Sequence, residues 1–185
     1  MSKEGTSLVE KIVSGKDHSL ILTTDQKIYG WGDCESGKIG RMLKSRNRNK
    51  QALMIEKVHA KKATNIFCGS NHSFFVKQKN ELYAWGLNNY GQLGIGHREN
   101  TAMPTLVRKL QGVELAQVGG GEHHSFALTK DGEVYLWGRN DEGQGGIGDV
   151  YGKWRREKAQ AEYEKLMKEE EEKQLQNKQE SQPET

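Results

Sequence analysis

At 185 residues the chain is long enough for one ordinary domain, and its 34% hydrophobic and 29% charged residues suit a packed core with a polar appendage. No apolar run approaches the roughly 20 residues that would span a bilayer, and the opening MSKEGTSLVEK lacks the apolar stretch of a secretory signal, so neither a membrane protein nor a secreted one is expected. The net charge of +3 is uneven: from Lys153 onward there are eight Lys/Arg and nine Asp/Glu, which leaves the body at +4, a mild excess that favours an acidic partner. Cys34 and Cys68 stand far apart without C-x-x-C spacing, as expected of two free thiols in a reducing compartment.

The first organised stretch is SGKDHSLILTTDQKIYGWG, Ser14–Gly32. A short apolar strand reaches a turn at Asp25-Gln26 and a second strand ends on Trp-Gly, the pattern of a hairpin, although Gln26 is not a favoured residue for positive φ. A long basic link follows, GRMLKSRNRNKQALMIEKVHAKK from Gly40 to Lys62, in which Arg41, Lys44, Arg46, Arg48 and Lys50 come with no acid among them. The hairpin then returns as CGSNHSFFVKQKNELYAWG, Cys68–Gly86, with its turn at Lys79-Asn80. It returns again as VGGGEHHSFALTKDGEVYLWG, Val118–Gly138, with its turn at Asp131-Gly132. Each copy opens Gly-x-x-His-Ser and closes Tyr-x-Trp-Gly, with 13 residues from His to Trp, and the histidines at 18, 72 and 124 are 54 and 52 residues apart.

Self-similarity at this period marks a repeat architecture. Hairpins at regular spacing, glycine-rich returns (LNNYGQLGIG, RNDEGQGGIG) and only two prolines predict an all-β fold: a partial β-propeller of about three four-stranded blades. The repeats are expected over 8–150, with copies near 9–62, 63–114 and 115–149. From 151 to 178 the chain turns to good helix formers without Pro and, after Gly152, without Gly; Glu164-Lys168 and Glu169-Lys173 fall at i,i+4 spacing, predicting a charged helix before a disordered tail at 179–185. That helix either covers an open propeller flank through Trp154 and Tyr163 or stands as a loose charged helix.

Gly-x-x-His-Ser, Tyr-x-Trp-Gly and Asn-x-x-Gly-Gln-x-Gly-x-Gly together resemble the regulator of chromosome condensation family, from about Val9 to Asp149. Its founding member is the chromatin-bound guanine-nucleotide exchange factor for the small GTPase Ran. VSGKDHSLILTTD, GGGEHHSFAL and the long basic link are similar to features of that member's second half. The resemblance implies a propeller of about seven blades, so three copies look like a fragment or a short relative. It also implies non-covalent exchange, residence in the nucleus with the cytoplasm as a second compartment, and no cofactor. The main exchange wedge of the family belongs to earlier blades, so Ran binding is a firmer expectation for this chain than efficient exchange. The repeat also serves in ubiquitin ligases and other interaction modules, which keeps a binding module without exchange activity open as the alternative.

His18, His72 and His124 hold one repeat position, so each is expected to be a scaffold histidine hydrogen-bonded inside its blade. The preceding position varies as Asp17, Asn71 and His123, and can present a different polar group from each blade at one rim. Those residues are either a GTPase-binding surface, which the resemblance implies for Asp17 and His123, or ordinary solvated loop residues. In the basic link the resemblance implies contact of Arg46 and Arg48 with the acidic histone surface of a nucleosome, and of Lys61 and Lys62 with DNA. A solvated loop or a localisation signal is the bland reading of the same residues. The His123-His124 pair lacks further ligands at recognisable spacing, which argues against zinc, and GGGEHH precedes a strand, which argues against a phosphate loop. Three blades expose two edges of a ring, so self-association through the open flanks is a further expectation.

Overall fold

The computed structural model describes residues 7–41, 49–55, 62–146 and 153–154. They form three four-stranded antiparallel sheets, each made of consecutive strands. Blade 1 holds β1 (Val9–Ser14), β2 (His18–Thr23), β3 (Ile28–Gly32) and β4 (Asn49–Met54). Blade 2 holds β5 (Ala63–Cys68), β6 (His72–Lys77), β7 (Glu81–Gly86) and β8 (Thr101–Leu106). Blade 3 holds β9 (Leu115–Gly120), β10 (His124–Thr129), β11 (Val134–Gly138) and β12 (Lys153–Trp154). The first strands β1, β5 and β9 lie side by side, so the blades fan outward from them as in a propeller sector.

Lys153 and Trp154 correct the predicted 151–178 helix at its start: they are extended and pair with Tyr135 and Val134 as the outer strand of blade 3. Strand pairing overrides the helix preference of the surrounding charged sequence, with Lys153 opposite Tyr135 as Leu106 is opposite Tyr83 in blade 2. The remainder of that helix and the 179–185 tail lie outside the described residues. Among the described residues no helix is long and apolar enough to cross a membrane.

Each hairpin meets its turn requirement in a different way. Gln26 adopts φ 62°, Lys79 and Asn80 adopt 69° and 57°, and Gly132 adopts 88°. At the blade 1 turn the Thr23 hydroxyl donates to Asp25 at 2.6 Å while Asp25 also pairs with Lys27 at 2.7 Å. Local side-chain bonds thus hold Gln26 in a region it does not prefer.

Neighbouring residues of a strand point to opposite faces of its sheet, so every blade has an incoming face towards the blade before it and an outgoing face towards the blade after it. Leu20, Leu22 and Ile28 of blade 1 pack on Ile66, Phe75, Tyr83 and Trp85 of blade 2 in one core. Phe74, Val76, Leu82 and Ala84, on the outgoing face of blade 2, pack on Val118, Ala127, Tyr135 and Trp137 of blade 3 in a second. Burial of each large apolar side chain stabilises by about 1.5–3 kcal/mol, so the two junctions carry most of the apolar driving force. Phe75 stacks on Tyr83 with 4.9 Å between ring centroids, and Phe74 meets Trp137 edge-on at 6.2 Å.

Hydrogen bonds fasten the same junctions. His18 Nε2 lies 2.8 Å from Ser73 Oγ, and His72 Nε2 lies 2.7 Å from Ser125 Oγ. Each serine hydroxyl donates onward to a backbone carbonyl, Ser73 to Lys38 and Ser125 to Gln92. Since a hydroxyl has a single proton, the imidazole must be the donor, which fixes the neutral Nε2–H tautomer. The same carbonyls accept the indole N–H of Trp85 at 3.0 Å and of Trp137 at 2.7 Å. The scaffold histidines therefore bond across to the next blade rather than inside their own. Burial, chiefly, pulls the imidazole of His18 down to about 4 and that of His72 to about 3, in keeping with neutral donors.

Candidate functional site

The three variable positions sit in equivalent two-residue turns, Lys16-Asp17, Ser70-Asn71 and Glu122-His123, at one end of the blades. In each turn the glycine N–H bonds the histidine carbonyl, as in Gly69 to His72 at 2.9 Å. The imidazole folds back over that glycine: a Cβ on Gly69 would stand 2.9 Å from His72 Nδ1, with other ring atoms nearer still. This is the physical content of Gly-x-x-His. The carbonyls of Asp17, Asn71 and His123 accept the N–H of Asp33, Leu87 and Arg139, at 2.7, 3.0 and 2.8 Å. Those partners follow the Trp-Gly glycines, and a Cβ on Gly86, where φ is 113°, would meet the Asn71 carbonyl at 2.7 Å.

The turns are also tied to one another. Lys16 N–H donates to the Ser70 carbonyl and Ser70 N–H to the Gly121 carbonyl, both at 2.9 Å. The structure thus brings Asp17, Asn71 and His123 into one hydrogen-bonded row along a rim, with Lys16 3.8 Å from Glu122 across it.

The surroundings of the three side chains differ. Asp17 is exposed. Asn71 Oδ1 accepts a hydrogen bond from Lys38 Nζ at 3.0 Å, and the same ammonium pairs with Asp33 at 2.7 Å. Lys38 is buried, a position that a cation holds only when its hydrogen bonds are met. His123 is half-buried with its ring 4.7 Å from Tyr90, and Arg139 lies over the other part of that cluster, 5.4 Å from the Tyr90 ring. Arg139 is further held by Asp141 at 2.5 Å and Glu142 at 3.4 Å. The rim therefore offers a carboxylate, an amide backed by a buried ion pair, and a cationic aromatic cluster, side by side. Burial pushes the Cys68 thiol up to about 12, so it is a poor nucleophile at neutral pH.

Lys38, Tyr90 and Arg139 were not expected from the sequence. Lys38 stands where the other two copies have Gln92 and Gln144, and that departure was the available signal. In blade 2 Gln92 Oε1 accepts from Tyr90 N–H, and Asn88 holds the following return through Leu93 N–H and the carbonyls of His97 and Glu99. Blade 1 has Cys34 and Lys38 at those two places, and its return is organised by the Lys38–Asp33 pair instead.

Arg46, Arg48 and Lys61 lie outside the described residues. The flanks of the basic link are described: Asn49 pairs with Gly32, at the rim end of blade 1, whereas β4 then runs away from the rim. Lys62 is exposed with φ 71° at the start of β5, the end of blade 2 opposite to Asn71.

A family model for the RCC1-like domain matches residues 1–182. The chain is 39% identical over 144 residues to Protein pim1 of Schizosaccharomyces pombe, covering 75% of this chain and 26% of pim1. It is 37% identical over 149 residues to the human E3 ubiquitin-protein ligase HERC2, covering 78% of this chain and 3% of that protein. Among solved structures, Prp20p from Saccharomyces cerevisiae, described with its binding properties to Gsp1p and histones, matches with a TM-score of 0.67 and 29% identity, over 76% of this chain and 32% of that one. Human WBSCR16 matches with a TM-score of 0.68 and 26% identity, over 78% of this chain and 37% of that one. The chain spans about a quarter of the length of pim1.

Proposed function

The chain belongs to the RCC1-like domain family, and from that premise we propose that it binds a Ran-type small GTPase through the rim and a nucleosome through the basic link, as part of, or a short relative of, a nuclear guanine-nucleotide exchange factor. The observation that carries this reading is the hydrogen-bonded row of turns that sets Asp17, Asn71 and His123 side by side with different side chains. Likeness to Prp20p, described as binding Gsp1p and histones, supports it.

Such a rim needs no covalent chemistry. A factor that binds the nucleotide-free GTPase more tightly than the loaded one shifts the population towards the empty form, and nucleotide and factor weaken each other's binding by the same coupling. Asp17 and the His123–Tyr90–Arg139 cluster supply the charged and aromatic contacts. The Lys38–Asn71 bond sets the middle of the surface. Arg46 and Arg48 meet the acidic histone face, and Lys61 with Lys62 meet DNA.

Capture of nucleotide-free Ran and of nucleosomes by the purified chain tests both halves. Asp17→Ala with His123→Ala is expected to weaken Ran binding about tenfold or more, as loss of central polar contacts does, with an unchanged melting temperature. Arg46→Ala with Arg48→Ala is expected to weaken nucleosome binding and spare Ran. Failure to bind either partner would overturn the reading. It would favour the second one, a propeller interaction module without exchange activity, for which the 37% identity to HERC2 is the supporting observation.

A further inference from the structure

Lys38 and Gln92 hold one repeat position, and each lies behind the rim residue of the blade that follows. Lys38 reaches Asn71. An ammonium only donates, so the bond at 3.0 Å engages the Asn71 oxygen, Oδ1, and leaves the amide N–H2 of Asn71 to the rim. Gln92 stands in the same relation to His123. A Cβ on Gly138 would lie 2.5 Å from the His123 carbonyl oxygen and 3.3 Å from the Gln92 Cα, so the two residues converge on one point. Both also touch Tyr90, whose N–H donates to Gln92 Oε1 at 3.0 Å and whose ring lies 4.7 Å from the ring of His123.

Among the described residues four buried side-chain nitrogens have no hydrogen-bond partner. Two are the Nδ1 atoms of His18 and His72, whose rings fold over the glycines of their own turns; the other two, Gln92 Nε2 and His123 Nδ1, meet at this one place. Gln92 is 0% exposed, and the bond from Tyr90 fixes which end of its amide is the nitrogen. His123 is half-buried, with Nδ1 on its enclosed side. Burying a polar group without a partner is costly, and most such groups find one. The chemistry of these two is complementary: the amide Nε2 only donates, and an imidazole Nδ1 accepts when the ring is neutral with its proton on Nε2. Donor behind and acceptor in front is also the sense of the Lys38–Asn71 bond. Both residues belong to the junction of blades 2 and 3, which lies whole within the chain.

We propose that Gln92 is a positioning residue for His123: a small turn of the half-buried imidazole against Tyr90 brings Nδ1 onto the Gln92 amide N–H, which holds the ring in its neutral Nε2–H form with that N–H directed to the rim. Gln92 does not touch the partner and acts through His123. Asn71 and His123 then both face outward as N–H donors, each because the preceding blade has taken its acceptor atom, and the guanidinium of Arg139 lies beside them over Tyr90. The partner group that docks on this half of the rim is accordingly an acceptor, a carboxylate or main-chain carbonyl of an acidic protein surface. Asp17, a carboxylate, sets the opposite requirement at the blade 1 end. The choice of partner group rests on the GTPase reading of the rim; the role of Gln92 towards His123 does not.

Side-chain nitrogen NMR of the full chain reads the histidine tautomers directly. His123 is expected in the Nε2–H form. Gln92→Glu replaces the donor by an acceptor and should move the proton of His123 to Nδ1, while the signals of His18 and His72 stay in place. Gln92→Met removes the donor without adding charge and should leave His123 a mixture of both forms; it serves alone if Gln92→Glu fails to fold. Neither substitution alters the main-chain oxygen that Ser125 and Trp137 use. An Nδ1–H form in the unaltered chain, or a tautomer indifferent to folded Gln92 variants, would overturn the proposal. For the partner group, Gln92→Met should weaken capture of nucleotide-free Ran about threefold to tenfold, the effect of one hydrogen bond, and should add nothing in a His123→Ala background. Undiminished capture, or an equal loss in that background, would overturn the assignment of an acceptor to the partner. Failure of the unaltered chain to capture Ran would remove the GTPase reading and that assignment together, with the tautomer still deciding the role of Gln92.

Discussion

Blade 2 and blade 1 place the same residue types at the same points of the repeat and obtain different results. Ile66, Phe75, Tyr83 and Trp85 lie inside a core, whereas Ile12, Ile21, Tyr29 and Trp31 are exposed or half-exposed. The Trp85 indole has a carbonyl to bond, and the Trp31 indole has none among the described residues. Local sequence and strand geometry are shared, so the difference comes from the neighbour alone. In this fold a blade's stability is a property of its junctions, as expected where each repeat touches only the ones beside it.

The sharpest way to break that equivalence is to truncate the two tryptophans. Trp85→Ala should lower the unfolding free energy by about 3–5 kcal/mol, the cost of removing a fully buried aromatic. Trp31→Ala should lower it by less than about half as much, when denaturant midpoints of the two variants are compared. Equal losses would mean that burial does not distinguish the blades.

Acidification offers a second test. The folded-state values of His18 and His72 lie near 4 and 3, below the ordinary value of 6.5, so the unfolded chain takes up protons that the folded chain excludes. Stability from these junctions is fully present above about pH 6.5 and falls as the pH drops through that value towards 4 and 3. His72→Gln should flatten the decline seen in pH-dependent chemical unfolding. His124→Gln should change it less, because His124 is only half-buried where His72 is fully buried; its pKa is lowered by burial first and His123 second.

The smallest contrast separates the serines. Ser125→Ala strands the His72 donor in a buried junction and should cost about 1–3 kcal/mol, while Ser19→Ala should stay within about 0.5 kcal/mol. Thermal unfolding of the two variants side by side checks this.

The hairpins, their turns and the repeat period could be read directly, because alternating apolar residues and turn formers act over a few positions. The partner of the scaffold histidine was not read correctly. His72 and Ser73 are adjacent in a strand and must face opposite ways, so the motif Gly-x-x-His-Ser encodes two half-junctions, one on each side of the blade. The pleat held that information, but a motif read as one unit conceals it. Strand β12 was hidden by a charged segment whose composition favours helix. At the rim, the equivalence of Asp17, Asn71 and His123 was legible from alignment of the copies. The Lys38–Asn71 bond was not, since it joins residues 33 positions apart from different blades.

Both internal junctions deliver a serine hydroxyl and an indole to a single main-chain oxygen, at Lys38 and at Gln92. An oxygen of this kind has two lone pairs, and both are engaged. Because the acceptor belongs to the backbone, the identity of that residue is invisible to the adjoining blade. A lysine and a glutamine serve equally as mortar, and their buried side chains are left to organise the loops behind the rim, one through an ion pair and one through a bond to its own loop. The repeat can therefore rewire the support of its rim loops at this position, one blade at a time, without renegotiating how the blades fit together.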